Sequence, residues 1–189
     1  MLRLAAALAA SLIVVTLPGT ATADETTVFE AMTGGFMSPT YASPVRRTTV
    51  MFPENQRPGT IVINTRERRL YLVTNHGEAI RYGIGVGRDG FRWSGVHRVS
   101  AKKEWPGWTP PAQMLRRRPD LPRYMEGGPD NPLGARALYL GSTLYRIHGS
   151  NEPETIGQAV SSGCFRMTND DVIDLYRRVN VGATVIVRN

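Results

Sequence analysis

From Thr60 onward the chain is a series of short β-forming runs cut by turns, and this punctuation constrains the fold more than any other feature. Thr60-Ile-Val-Ile-Asn64 and Arg69-Leu-Tyr-Leu-Val-Thr74 are rich in β-branched and aromatic residues. The charged turn 65–68 separates them. Asn75-His76-Gly77 is a second turn, and residues 78–86 read as a third strand, giving an antiparallel meander. Residues 95–102, 137–140, 144–148 and 183–187 read as further strands. Helix signals are few. Residues 113–118 and 154–160 suit short helices, and Thr168 is a good N-cap, with Asp170 and Asp171 in the first turn and Val172, Leu175, Tyr176 and Val179 as the apolar stripe. With 19 glycines and 13 prolines in 189 residues, the expectation is one mainly β domain with about two short helices.

Between these runs lie two stretches that resist regular structure. Trp105-Pro-Gly-Trp-Thr-Pro-Pro111 removes backbone donors at three positions, and residues 121–134 are again rich in Pro and Gly. A loop region this long inside a compact domain points to function. Tyr82-Gly-Ile-Gly-Val-Gly87 resembles a nucleotide-binding glycine motif only superficially, because no helix pattern follows it.

Residues 1–23 have the pattern of a secretory signal: Arg3, an apolar run from Leu4 to Leu17, then Ala21-Thr22-Ala23 before Asp24. The run is about fourteen residues, short of the roughly 20 a spanning helix needs. The expectation is export with Asp24 as the mature N-terminus, no membrane span in the mature chain, and a location in the periplasm or cell envelope. Residues 24–56 lack a clear period and read as a linker or loose arm, leaving 57–189 as the folded domain.

The formal charge is +7, with 23 Lys and Arg against 16 acids. Basic chains often bind nucleic acid, but export and the lack of interleaved aromatic and basic residues argue against it here. One cysteine excludes an internal disulfide and a zinc site built on paired cysteines. The three histidines, His76, His97 and His148, are scattered, so no metal site is expected. His76 reads as a solvated turn residue and His97 as strand packing or a pocket edge. Arg116-Arg-Arg118 is a charged turn or a grip for an anionic polymer. Trp105, Trp108 and Tyr124 are groove or core aromatics.

The informative segment is Tyr145–Met167, Y-R-I-H-G-S-N-E-P-E-T-I-G-Q-A-V-S-S-G-C-F-R-M. His148 ends a strand, and Cys164 follows sixteen residues later in a Ser-Ser-Gly-Cys turn. A cysteine nucleophile reacts as thiolate, so its proton must go to a neighbour such as histidine. Gly163 would let backbone approach a substrate, and amides near Cys164 could face an oxyanion. The residues alone leave two readings open: a catalytic Cys/His pair, or a buried cysteine beside a structural histidine.

His-Gly-Ser, a mid-teens gap and Ser-Ser-Gly-Cys-Phe-Arg-Met resemble the signature of the L,D-transpeptidase catalytic-domain (YkuD-like) family. Residues 60–86, Pro106-Gly-Trp108 with Pro110, and Gly128-Pro-Asp-Asn-Pro-Leu-Gly134 before Leu138-Tyr139-Leu140 extend the likeness over roughly residues 60–187. Ser162, Phe165 and Trp93-Ser-Gly-Val96 depart from the commoner family residues.

The resemblance implies a β-sandwich fold and a cysteine-dependent acyltransferase acting on peptidoglycan stem peptides, without metal or cofactor. Cys164 would be the nucleophile and His148 the base, oriented by a carbonyl of Gly149 or its neighbours. Ser162 and Gly163 fill the motif at the oxyanion turn, and Arg166 would pin the cysteine loop through backbone carbonyls. A Cys164 thioester would form with release of D-alanine. An acceptor stem, or a wall-attached protein, would resolve it. Water as acceptor would make the protein an L,D-carboxypeptidase or amidase, and a degenerate site would make it a non-catalytic wall-binding module.

Overall fold

The computed structural model describes residues 43–189; the expected signal at 1–23 and residues 24–42 of the expected arm lie outside the described residues. The strands are β1 (Thr48–Met51), β2 (Ile61–Asn64), β3 (Arg69–Asn75), β4 (Glu78–Gly83), β5 (Val86–Gly87), β6 (Gly95–Glu104), β7 (Arg136–Leu140), β8 (Arg146–His148), β9 (Ala159–Ser161), β10 (Phe165–Arg166) and β11 (Thr184–Arg188). The helices are α1 (Ala112–Arg117) and α2 (Asn169–Arg178), with a 3-10 turn at Pro153–Thr155. The fold is mainly β, as the punctuation of the sequence requires.

Nine strands run in the order β1-β4-β3-β2-β11-β6-β7-β8-β10, and β5 pairs with β9 in a separate parallel ribbon. The longest strand, β6, serves both halves of the large sheet. Its first residues pair antiparallel with β11 and its last with β7, with an irregularity between Val99 and Ala101. Such a break lets one strand turn a corner between two packed layers. The two halves face each other across one core. Ile61, Ile63, Leu70 and Leu72 from one half meet Leu138, Leu140, Ile147 and Phe165 from the other, with Val172 and Leu175 of α2 alongside. Strand alternation sends Val62 and Val73 to the other face, where they bury Phe52 and Ala79.

Three expectations need correction. The loose arm expected over 24–56 is not loose at its end: Thr48–Met51 pairs antiparallel with β4, Phe52 is buried, and Arg47 reaches Asp171 and Asp174 of α2 at 3.4 and 3.5 Å. Its Thr-Thr-Val-Met-Phe run is β-forming, but it is short and lies between Arg46-Arg47 and Pro53 in a stretch with no clear period. The helix expected at 154–160 is a single 3-10 turn, because Gly157 takes φ +88 and the chain then enters β9. The third strand stops at Gly83. Gly85 instead exchanges backbone hydrogen bonds with Arg166 at 2.9 Å, tying the glycine-rich segment to the strand after Cys164.

Helix α2 begins where its cap predicts. The Thr168 hydroxyl accepts from the Asp171 N–H, and Lys102 donates to the Tyr176 and Val179 carbonyls at its other end, both at 2.6 Å. Its N-terminus therefore docks at a fixed place, directly after the strand that follows Cys164.

Candidate active site

Parallel pairing of β10 with β8 sets Phe165 beside Ile147 and Arg166 beside His148. Side chains alternate along strands. Phe165 and Ile147 therefore enter the core, and Arg146, His148 and Arg166 share the opposite face. Cys164 immediately precedes β10, and its Sγ donates to the Leu144 carbonyl at 3.7 Å, just before β8. The sixteen-residue gap between His148 and Cys164 thus closes into neighbouring strands, because residues 149–163 loop out through the 3-10 turn and β9.

His148 is buried, and its Nδ1 lies 2.6 Å from the Gly149 carbonyl oxygen. A carbonyl only accepts, so Nδ1 carries the proton and Nε2 keeps its lone pair. Burial pushes the His148 pKa down to about 3, and the Arg166 and Arg146 charges act the same way against the bond to Gly149. The imidazole is neutral at neutral pH. Burial likewise pushes the half-buried Cys164 thiol up, against the Arg146 backbone N–H and the charges of Arg146 and Arg166. The resting pair is thiol and imidazole.

The turn carrying Cys164 is fixed from three sides. The Ser161 hydroxyl donates to the Cys164 carbonyl at 2.6 Å and accepts from the Gly163 N–H at 3.1 Å. Trp93 Nε1 donates to the Gly163 carbonyl at 2.8 Å. The Trp93 ring stacks on Tyr145 with centroids 4.4 Å apart. Gly163 has φ +110, and a methyl group there would lie 2.6 Å from the Tyr145 ring. Only glycine fits at this position. The Gly163 N–H is occupied, whereas the Cys164 N–H donates to no described residue.

Arg166 holds the turn differently from the sequence expectation. Its guanidinium donates to Glu152 at 2.6 Å and Thr155 at 3.4 Å, side chains of the intervening loop, rather than to backbone carbonyls. The backbone of Arg166 meets Gly85 instead. Ser162 is half-buried between β9 and β10.

Ser161, Trp93, Tyr145, Asn169 and Glu152 escaped the sequence reading as site residues. Asn169 Oδ1 accepts from the Ala135 N–H at 2.9 Å and packs where Gly134 and Gly149 leave no room for Cβ atoms. This contact sets the backbone that carries the Gly149 carbonyl. A tryptophan in place of a common family residue was the one available signal for Trp93. His97 packs edge-on against Trp93 at 5.2 Å, and His76 is exposed in the β3–β4 turn. Trp105 and Tyr124 are exposed, Trp108 forms a backbone bridge with Met125, and Arg118 pairs with Asp120.

The model of the L,D-transpeptidase catalytic domain, YkuD, matches residues 58–187. The chain belongs to the L,D-transpeptidase (YkuD) family. It is 42% identical over 145 residues to the probable L,D-transpeptidase ErfK/SrfK of Escherichia coli, covering 72% of this chain and 46% of that protein. A probable L,D-transpeptidase, YbiS, from the same organism is 41% identical over the same shares. The chain thus spans about half the length of these curated relatives. Among solved structures, a Brucella melitensis protein described as a probable carnitine operon oxidoreductase is 45% identical, with TM-score 0.53, covering 80% of this chain and 99% of that one. An L,D-transpeptidase from Mycobacterium smegmatis shares the fold at TM-score 0.55 and 17% identity, covering 69% and 58%. No helix among the described residues of this L,D-transpeptidase domain is long and apolar enough to cross a membrane.

Proposed function

We propose that this protein is an exported, cysteine-dependent L,D-transpeptidase that joins peptidoglycan stem peptides outside the cytoplasm. One observation carries the reading: Cys164 directly precedes the strand that pairs with the His148 strand, and the Gly149 carbonyl leaves the imidazole Nε2 free to take a proton.

The Cys164 sulfur attacks the peptide carbonyl that precedes the terminal D-alanine of a donor tetrapeptide stem. The S–C bond forms as the thiol proton passes to His148 Nε2. The C–N bond then breaks, the proton leaves with the D-alanine amine, and a thioester remains. The Cys164 N–H, without a partner among the described residues, supports the oxyanion, and Ser162 lies in the same turn. An acceptor amine on a second stem attacks the thioester, gives its proton to His148, and expels the sulfur, which recovers that proton. The family fold and the names of the relatives support this substrate class, and the pattern of residues 1–23 supports export. A wall-attached protein offering an amine fits the same second step.

Incubating purified protein with disaccharide-tetrapeptide muropeptides and analysing products by mass spectrometry tests the reading. Cross-linked dimers with free D-alanine are expected, and none with Cys164→Ala. Shortened monomers alone would make water the acceptor and the protein a carboxypeptidase. Unchanged muropeptides would make the domain a non-catalytic module.

A further inference from the structure

Two arginines flank the Cys164–His148 pair, and they are used differently. Arg166 places its charge on Glu152. Arg146 has no such partner: it makes no ion pair with a described carboxylate, and its Nε is buried with no hydrogen-bond partner among the described residues. Buried polar groups normally find a partner, and a charged donor left without one costs more than a neutral one. Three other described side-chain atoms share this condition, in Arg81, Asp171 and Arg188. Asp171 and Arg188 are in ion pairs through other atoms. Arg81 lies on β4, in the other half of the sheet.

The position of Arg146 is set by the strands. It lies two residues before His148 on β8, so both side chains share a face, and Tyr139 is its direct cross-strand partner on β7. The guanidinium rests over the Tyr139 ring, 5.3 Å from its centroid, and the Lys103 ammonium from β6 lies over the same ring at 5.8 Å. The ring faces hold both cations in place but satisfy none of their N–H groups in line. The result is a guanidinium held on the face of His148, in no ion pair and with no partner for its Nε among the described residues, beside a second cation. A planar carboxylate matches the fork of a guanidinium.

We propose that Arg146 is a specificity-determining residue that holds a carboxylate of the donor stem peptide beside Cys164. This rests on the peptidoglycan reading above. A stem peptide offers that group from two sources, the terminal D-alanine and the far carboxylate of the diamino acid, and the chemistry at Arg146 is the same for either. Arg166 cannot serve, because Glu152 already occupies it. Lys103 adds attraction without fixing geometry.

The test measures steady-state turnover of three tetrapeptide donors: unmodified, amidated at the terminal carboxylate, and amidated at the diamino-acid carboxylate. Wild type, Arg146→Gln and Arg146→Lys are compared. Wild type should lose roughly ten- to a hundredfold in kcat/KM on one amidated donor, which identifies the carboxylate held. Arg146→Gln should lose a similar factor on the unmodified donor, chiefly through KM, and lose nothing further on that amide. Arg146→Lys should recover part of the loss. Equal wild-type turnover of all three donors overturns the inference, and so does an equal loss by Arg146→Gln on acid and amide donors. The wild-type donor comparison stands even if a variant folds poorly. Failure of wild type to consume any donor would instead sink the functional reading, and the inference with it.

Discussion

Replacing His148 with glutamine should change how stability depends on pH, by an amount fixed by the burial of the imidazole. In the native state His148 holds its proton only below about pH 3. In the unfolded chain a histidine titrates near pH 6.5. As pH falls, the unfolded chain takes up this proton first. The stabilisation is therefore complete above about pH 6.5 and is lost progressively as pH falls toward 3. Between pH 7 and pH 5 the loss is about 2 kcal/mol, and the slope approaches its limit of about 1.4 kcal/mol per pH unit only toward the lower end of that range. Glutamine keeps a donor for the Gly149 carbonyl and has no proton to bind. The remaining ionisable groups are common to both proteins and cancel in the comparison. Urea unfolding at pH 7, 6 and 5, with reductant present for Cys164, gives both curves. The difference in stability between wild type and His148→Gln should shift by about 2 kcal/mol in favour of the variant across that range. Parallel curves would mean that His148 protonates as easily in the fold as outside it, and the neutral-base account would be wrong.

The same pair sets three kinetic and structural expectations. Because the thiol pKa is raised and the imidazole pKa lowered, the free enzyme should show no ultraviolet thiolate absorbance at pH 7, and kcat/KM should stay flat from pH 5 to 8; an acid limb near pH 6 to 7 would contradict this. Gly163→Ala forces a side chain into φ +110 and against Tyr145, so acylation should fall at least tenfold, with a stability loss of about 1–3 kcal/mol by urea unfolding. Trp93→Phe keeps an aromatic ring for Tyr145 but removes the Nε1 hydrogen bond to the Gly163 carbonyl. It should cost about 1 kcal/mol of stability, and circular dichroism should remain native while the acylation rate drops.

The strands of this domain were legible because their apolar alternation is local. Residues 60–64 and 69–74 carry their own β signal, and Thr168 announces α2 through its cap. What escaped the sequence depends on partners far along the chain. Residues 48–51 form a strand only because β4 offers an edge, and Gly157 ends a helix that residues 154–160 alone would favour. The site shows the same division. Residue type and spacing marked His148 and Cys164 as a candidate pair, and the resemblance to the family motif carried their assignment. Ser161, Trp93 and Asn169 could not, since each acts through a bond to backbone that only the fold brings near. Arg166 could be placed in the motif, but its partner Glu152, fourteen residues away across a loop, could not.

The most direct test of the account is intact-mass analysis of the protein mixed with a tetrapeptide donor and no acceptor. A single adduct equal to the donor acyl group is expected, located on Cys164 by peptide mapping, with one D-alanine released per adduct and neither event in Cys164→Ala. Release of D-alanine by Cys164→Ala, or an adduct mapped to any other residue, would contradict the assignment of Cys164 as the nucleophile.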